Sequence, residues 1–469
     1  MTMGTVLQAC VVACAAYLIL VYGTYAALMV VGFAEGRRRR REFAVDDVVA
    51  LGGSRFAPGV SIVMPAYNEA DAVTDAVRSL LALDYPEYEL IVVNDGSTDD
   101  TLSRLRASFD LVPVEASSRG ILETEPVESY YTSRAEQRLL VIDKTNGGKA
   151  DALNAGLDHC RYRYICGVDA DMVFARDALS RAMRVIVSDA KRIVGLTSYV
   201  EIAEDPSRAL VGGVDYSIPD QRPLIAYQTL DYLRAFYNNR IAWSRLDFML
   251  CAVGAFQIWR RDLLEELGGW SRDYTCEDIE LTFRVHKVLR EQERAYRVVC
   301  LPDRIGVTEG PDTVRKLVAQ RERWQRVILE TWWSYRHMCF DRRYGSVGLL
   351  GMPFYLLSEI VAPVFELMAI ATLLAGAAAG LVDWRLFAIV TVLISLANSI
   401  FSTGALVMVD QQERVYRARG IVRLLALMPV ELLVYRPIMA WARIKGTWRF
   451  LRGDKSWHKF DRNIRVGAA

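Results

Sequence analysis

Apolar residues fall into two kinds of pattern along this chain. Between about 60 and 200, short β-rich runs alternate with helix-like stretches. The runs are VSIVMPA, YELIVVND, RLLVID, YRYICGVDAD and RIVGLTSYV, and pieces such as EADAVTDAVRSLLAL and KADALNAGLDHC lie between them. Strands alternating with helices predict βαβ units and a parallel, Rossmann-like sheet. The stretch from about 116 to 138 reads as an inserted polar loop. Residues 200–250 show no clear period, and 254–300 and 312–340 return to helical patterning.

The second pattern is long and apolar. Residues 6–33 hold no charged side chain and are long enough to span a bilayer. A signal peptide fits less well, because no basic segment precedes the run. Arg37–Arg41 follow at once, which predicts a cytoplasmic side there and an N-terminus outside. Residues 347–382, with Pro353 and Pro363 and the acids Glu359 and Glu366, read as an interfacial piece leading into a span. A second span is 386–409. The third segment, 421–443, contains Arg423, Glu431 and Arg436 and reads as re-entrant or interfacial. The basic tail argues for a cytoplasmic end, whereas three full crossings would place it outside.

Composition agrees with a soluble domain joined to membrane segments: 52% of the 469 residues are hydrophobic, yet 24% are charged. The net charge of +1 says nothing about partners, so any electrostatic argument must be local; no nucleic-acid partner is expected. The eight cysteines form no CxxC pair and read as free thiols. Four scattered histidines give little support to a zinc site or a Ser–His–Asp triad, which leaves acid–base chemistry to carboxylates.

Ligands of such sheets bind beyond the carboxyl ends of the strands. PAYNEA places Tyr67 and Glu69 there, and NDGSTDD places Asp95, although turn and cap chemistry explains each alone about as well. In NGGKADALN two glycines and Lys149 open a helix, an arrangement suited to a diphosphate. Asp169 and Asp171 of the DAD run lie two apart on an extended chain, so both can approach one hard cation. Glu277 and Asp278 begin an amphipathic helix, either as acids complementing its dipole or as a catalytic base. In QRERW, Gln320, Arg323 and Trp324 share a helix face where amide and guanidinium can grip phosphate while the indole stacks on a sugar. Trp332 and Trp333 read as membrane-interface anchors.

PAYNE, DGSTD, GGKADALN, DAD, the Glu277–Asp278 pair, TEGPDT and QRERW, in this order, resemble the membrane-embedded processive family 2 glycosyltransferases, the group of cellulose, hyaluronan, chitin and poly-N-acetylglucosamine synthases. The motifs cover about 60–330. The resemblance implies an α/β, GT-A (Rossmann-like) cytoplasmic domain joined to transmembrane helices. It divides the chain into an N-terminal span (1–36), the catalytic domain (37–344), membrane or interfacial helices (345–443) and a basic tail (444–469). It further implies an inverting, processive transfer from a UDP-sugar, UDP-N-acetylglucosamine or UDP-glucose, to a growing β-linked polysaccharide that crosses the bilayer. Tyr67, Glu69 and Asp95 would hold the nucleoside, and Lys149 the diphosphate or base. Asp169 and Asp171 would coordinate Mg2+ or Mn2+. Asp278, beside Glu277, would be the general base. Gln320 and Arg323 would meet the donor diphosphate, and Trp324 would stack beneath the acceptor sugar. The location implied is the inner or plasma membrane, multi-pass, with accessory export subunits as further partners.

Two features depart from the group. Val253-Gly254-Ala255 replaces a Phe-Phe-Cys-Gly-Ser-like run at the acceptor site, which places Gly254 there and brings the chain closer to the poly-N-acetylglucosamine branch. One N-terminal span stands where several relatives have two. Trp457, Lys459 and Arg462 match the group's gating segment only loosely. The competing readings are a non-processive transferase acting on a lipid-linked acceptor and a catalytically silent nucleotide-binding membrane protein.

Overall fold

The computed structural model describes residues 2–43, 57–203, 222–412 and 416–454. Trp457, Lys459 and Arg462 lie outside the described residues. The chain divides into two compact units, each assembled from separate stretches. One comprises Arg38–Asp215, Met249–Glu309 and Lys459–Ala469, the other Met1–Arg37, Tyr216–Phe248 and Gly310–His458.

The first unit is built on a ten-stranded sheet. Its strands are β1 (Val60–Ala66), β2 (Tyr88–Asp95), β3 (Leu111–Val114), β4 (Val127–Ser133), β5 (Leu139–Lys144), β6 (Tyr164–Val168), β7 (Met172–Phe174), β8 (Ile193–Ala203), β9 (Phe256–Arg260) and β10 (Arg297–Glu309). The spatial order is β3-β4-β5-β2-β1-β6-β9-β8-β10-β7. Every residue of β2 and β8 is buried, the continuous apolar signature of strands covered on both faces.

All five runs read as strands in the sequence are strands, but the sheet is mixed rather than parallel. β1 pairs in parallel with β2 and β6, and β2 with β5, whereas β9 runs antiparallel to both β6 and β8. The stretch 254–300 is therefore not wholly helical, since it contains β9 and the start of β10. FQIWR is short and buried on nearly every side, so neither a helical nor an alternating period marks it. The polar stretch 116–138 is likewise no free loop. It contains β4, and before that it is pinned to the helix Lys149–Leu157 and the turn after it: Gly120 and Ile121 donate backbone N–H groups to Asp158 at 2.8 and 2.9 Å, and Glu125 donates to Asp151 at 3.1 Å.

The second unit is helical. Among the described residues three helices are long and apolar enough to cross a membrane: Met3–Arg41, Val347–Ala378 and Trp384–Gln411. The region 222–245, which shows no period in the sequence, is helical throughout, from Pro223–Leu233 through a π-helical turn at Arg234–Arg240 to Ile241–Arg245. Burial around most of its circumference, Arg234 and Asn238 included, removes the polar stripe a periodicity needs.

Glu431 and Arg436 of 421–443 are paired inside this unit. The segment breaks at Met428–Val430 into the helices Ala418–Leu427 and Glu431–Leu451. Glu431 is fully buried and accepts two bonds from Arg234, each 2.7 Å, while Arg436 lies 3.0 Å away. Arg234 also donates to Ser402, within the span Trp384–Gln411, at 2.5 Å. Ionisable groups at such depth persist when they satisfy one another.

The QRERW motif lies on the helix Val314–Ser334, whose opposite side packs on Glu431–Leu451. Buried Glu322 bonds Arg449 at 2.7 Å and pairs with Arg326 at 2.9 Å. A side chain at Gly446 would meet the Glu322 carbonyl at 2.6 Å, so the crossing needs glycine. Pro363 brings a second constraint. It has no N–H for the Glu359 carbonyl four residues earlier, and Gln325 fills that role with a 2.9 Å bond from its side-chain amide. Gln325→Leu, by orphaning that carbonyl, is expected to cost about 1–3 kcal/mol. In a Pro363→Ala background, which restores the N–H, the cost should shrink. Thermal unfolding of the four proteins in detergent measures the coupling.

Candidate active site

Because β1, β2, β5 and β6 run in parallel, their carboxyl ends share one edge. The loops after β1 and β2 are stitched together there. Asn68, in the left-handed region at φ 53°, accepts from the Thr98 N–H at 2.7 Å, and its own N–H donates to the Ser97 hydroxyl at 3.0 Å. Glu69 donates its N–H to the Thr101 hydroxyl at 2.8 Å. Tyr67 and Glu69 are half-buried beside these contacts.

Asp95 is buried, and both its oxygens are occupied. It accepts from the N–H groups of Gly147 and Gly148 at 3.0 and 2.8 Å and from the Asn146 amide at 3.1 Å. Lys144 approaches the same carboxylate at 3.0 Å and Asp151 at 2.6 Å. Asp95 thus shapes the glycine loop that precedes Lys149. Lys144 went unnoticed in the sequence, although a lysine directly after the apolar run RLLVID is the signal of a charge held at a strand end.

The loop delivers Lys149 to a cluster of carboxylates. Its amino group lies 2.7 Å from Asp169, which follows β6, and 2.9 Å from Glu277 at the start of the helix Glu277–Glu291. Asp171 is half-buried, two residues beyond Asp169. Asp278 accepts from the Gly254 N–H at 2.6 Å through one oxygen, and from the Ile279 N–H and the Cys276 thiol through the other, both at 2.7 Å. A Cβ at Gly254 would lie 2.9 Å from both the Asp278 carboxylate and the Lys149 amine, so a side chain there would have to displace one of them. The structure brings Lys149, Asp169, Gly254, Glu277 and Asp278 together.

Burial and then the neighbouring acids drive the electrostatics. Burial raises the Glu277 pKa, Lys149 opposes that rise, and Asp278 adds to it. Burial works against the Lys149 charge, but Asp169, Glu277 and Asp278 outweigh it and hold the amine well above the usual lysine value. Burial, with Asp278 and Glu277 beside it, pushes the Cys276 thiol well up, so it stays protonated and can donate.

The backbone leading into β9 is also part of the site. An antiparallel strand begins at the edge where its parallel neighbours end, so residues 249–255 reach the carboxyl end of β6, where the Asp169 N–H meets the Ala255 carbonyl at 3.4 Å. One face of the helix Glu277–Glu291 holds this segment. Thr282 accepts from the Ala252 N–H at 3.2 Å, and the His286 ring contacts the Met249 carbonyl and the Tyr296 hydroxyl, each at 2.6 Å. Sequence reasoning singled out neither Thr282 nor His286.

Gln320, Arg323 and Trp324 belong to the helical unit. The Arg321 guanidinium lies 4.1 Å from the centre of the Trp324 ring, and Tyr232 is 6.2 Å from it. The Gln320 side-chain oxygen is buried without a hydrogen-bond partner, and Arg323 is half-buried.

A mixed α/β sheet with a lysine and converging carboxylates at the carboxyl ends of its parallel strands is a GT-A-like glycosyltransferase fold. A mannosyltransferase from Pyrobaculum calidifontis, solved with GDP-Man and Mn2+, shares that fold at a TM-score of 0.52, with 21% identity over 84% of this chain and 99% of the other. The chain belongs to the family 2 glycosyltransferases: residues 61–115 match Glycosyl transferase family 2, and 168–402 match Glycosyl transferase family group 2. Among curated proteins it is similar to the poly-beta-1,6-N-acetyl-D-glucosamine synthases of Staphylococcus epidermidis (26% identical over 281 residues) and Staphylococcus aureus strain MSSA476 (24% over 267). The first match takes in 59% of this chain and 57% of that relative, the second 57% and 53%.

Burial lowers the His286 pKa to about 4 from an ordinary 6.5. Between those values the unfolded chain binds a proton that the folded chain refuses, so stability falls as pH drops from 6.5 towards 4, by about 3 kcal/mol at most. Denaturation midpoints measured from pH 7 to pH 4 should fall more steeply for the wild-type protein than for His286→Gln.

Proposed function

We propose that the protein is a processive, inverting polysaccharide synthase. It uses UDP-N-acetylglucosamine or UDP-glucose to extend a β-linked polymer that is passed across the membrane. The convergence of Asp169, Gly254, Glu277 and Asp278 around Lys149 carries this reading. The names of the curated relatives and the three apolar helices support the polymer and the membrane.

In the proposed reaction Asp278 accepts the proton of the acceptor hydroxyl. The acceptor oxygen attacks the anomeric carbon from the face opposite the diphosphate, a new glycosidic bond forms, and the bond to UDP breaks. Buried, hydrogen-bonded on both oxygens and fixed at the start of a helix, Asp278 is held in one orientation. Tyr67 and Glu69 lie on the nucleoside side, with Asp95 shaping the loop beneath Lys149, whose charge meets the diphosphate. Gln320 and Arg323 are assigned to donor phosphates, and Trp324 to the acceptor sugar, on their motif alone.

Asp169 and Asp171 suit a divalent ion: both are half-buried carboxylates at a strand end. No group of three or more metal-ligating side chains occurs among the described residues, so donor oxygens and water would complete the shell. Bound there, Mg2+ or Mn2+ would neutralise the departing diphosphate. Accessory export subunits, a multi-pass inner-membrane location and a cytoplasmic catalytic domain complete the proposal.

The experiment is a panel of UDP-sugars given to the purified protein with Mg2+, with UDP release and product length as readouts. Polymer from one donor is the expected outcome. Single-sugar products would replace processivity with the lipid-acceptor reading, and absence of UDP release from every donor would remove the catalytic one. Asp278→Asn should lower transfer by about 100-fold or more while UDP affinity holds. Near-normal turnover would move the base elsewhere.

A further inference from the structure

Met249, Leu250, Cys251 and Ala252 are buried, but they belong to no strand or helix. Buried backbone outside a ladder must find other partners for its N–H and C=O groups. Here four side chains serve, and three lie on one helix. Asp278 takes the Gly254 N–H at 2.6 Å, Thr282 takes the Ala252 N–H at 3.2 Å, and His286 meets the Met249 carbonyl at 2.6 Å. Positions 278, 282 and 286 are spaced by four and so share a face. From the other side Thr197 of β8 takes the Val253 N–H at 3.0 Å.

His286 differs from the other two because it donates. A carbonyl can only accept, so Nε2 carries the proton, and Nδ1 accepts from the Tyr296 hydroxyl at 2.6 Å. Thr282 uses its hydroxyl twice: it accepts from Ala252 and donates to the Asp278 carbonyl at 2.8 Å. A shift at either residue is transmitted to Gly254, whose N–H sits on the carboxylate of Asp278.

We infer that Thr282 and His286 are positioning residues: with Asp278 they form a rail that sets segment 249–254, and thereby Gly254, against the base. The inference rests on the reading of Asp278 as base and of Gly254 as acceptor-side. Neither Thr282 nor His286 was singled out from the sequence, and both are fully buried. Their effect is on alignment, so they should govern how well acceptor, rather than water, captures the activated sugar.

Paired substitutions in the full chain test this. Gln at 286 can place its amide nitrogen where Nε2 lies, whereas Asn reaches only the position of Nδ1. Ser at 282 keeps the hydroxyl and Val removes it. With the donor that gives turnover, His286→Asn and Thr282→Val are expected to slow transfer by about ten-fold or more. They should also raise the fraction of UDP released by hydrolysis, while UDP affinity stays within about two-fold of wild type. His286→Gln and Thr282→Ser should recover most of the transfer and the coupling. Equal behaviour within each pair overturns the rail, as does UDP affinity falling in step with turnover. Loss of folded protein in both His286→Asn and Thr282→Val also overturns it, by assigning the two residues to stability. A wild-type protein that releases UDP from no donor defeats the functional reading instead, so the two failures are distinguishable.

Discussion

Half-buried Asp169 and buried Glu277 and Asp278 crowd into one corner, and a single lysine makes that crowding tolerable. Like charges at hydrogen-bond range repel strongly where water is excluded. Lys149 reaches two of these acids within 3 Å, and its own ionisation is favoured by all three. The glycine loop in front of it is shaped by Asp95, which in turn is held by buried Lys144. Each layer of charge is thus balanced by the next. The sheet supplies the geometry, since the parallel ends of β1, β2, β5 and β6 and the antiparallel start of β9 meet at one edge.

The helical unit solves a related problem with different means. Its buried polar groups cannot turn to water, so they satisfy one another. Glu431 and Arg234 form a two-bond pair, and Gln325 takes the carbonyl that Pro363 leaves open. The helix that presents Gln320, Arg323 and Trp324 is fastened by Glu322 and Gln325 on its far side. Of these two fastening residues, Glu322 lies within the motif and Gln325 directly after it.

Much of the catalytic unit was legible because strong local patterns coincide with it. Runs such as VSIVMPA and YELIVVND are buried on both faces, and their polar ends mark the ligand edge. β3, β4, β7, β9 and β10 were not legible, being short, half-polar or irregularly paired. The helices of 222–245 were hidden for the opposite reason, since burial on most sides erases the period. Within the site, Lys149, Asp169, Glu277 and Asp278 stood out by residue type. Lys144, Thr282 and His286 did not, because their importance comes from partners thirty or more residues away, or from the end of a neighbouring strand.

Residue order by itself determined which chemistry is available: acids at strand ends, a lysine behind two glycines, an amphipathic motif with an indole, and apolar lengths sufficient to cross a bilayer. Those features depend on local spacing, which covalent geometry and helical or extended periodicity fix. Only the tertiary structure decided which acids face one another, that an antiparallel strand inserts between β6 and β8, and that one helix face supplies the partners of a buried, irregular segment. Those choices follow from burying polar backbone and charge with every group satisfied, a condition on the whole chain that no short window of sequence contains.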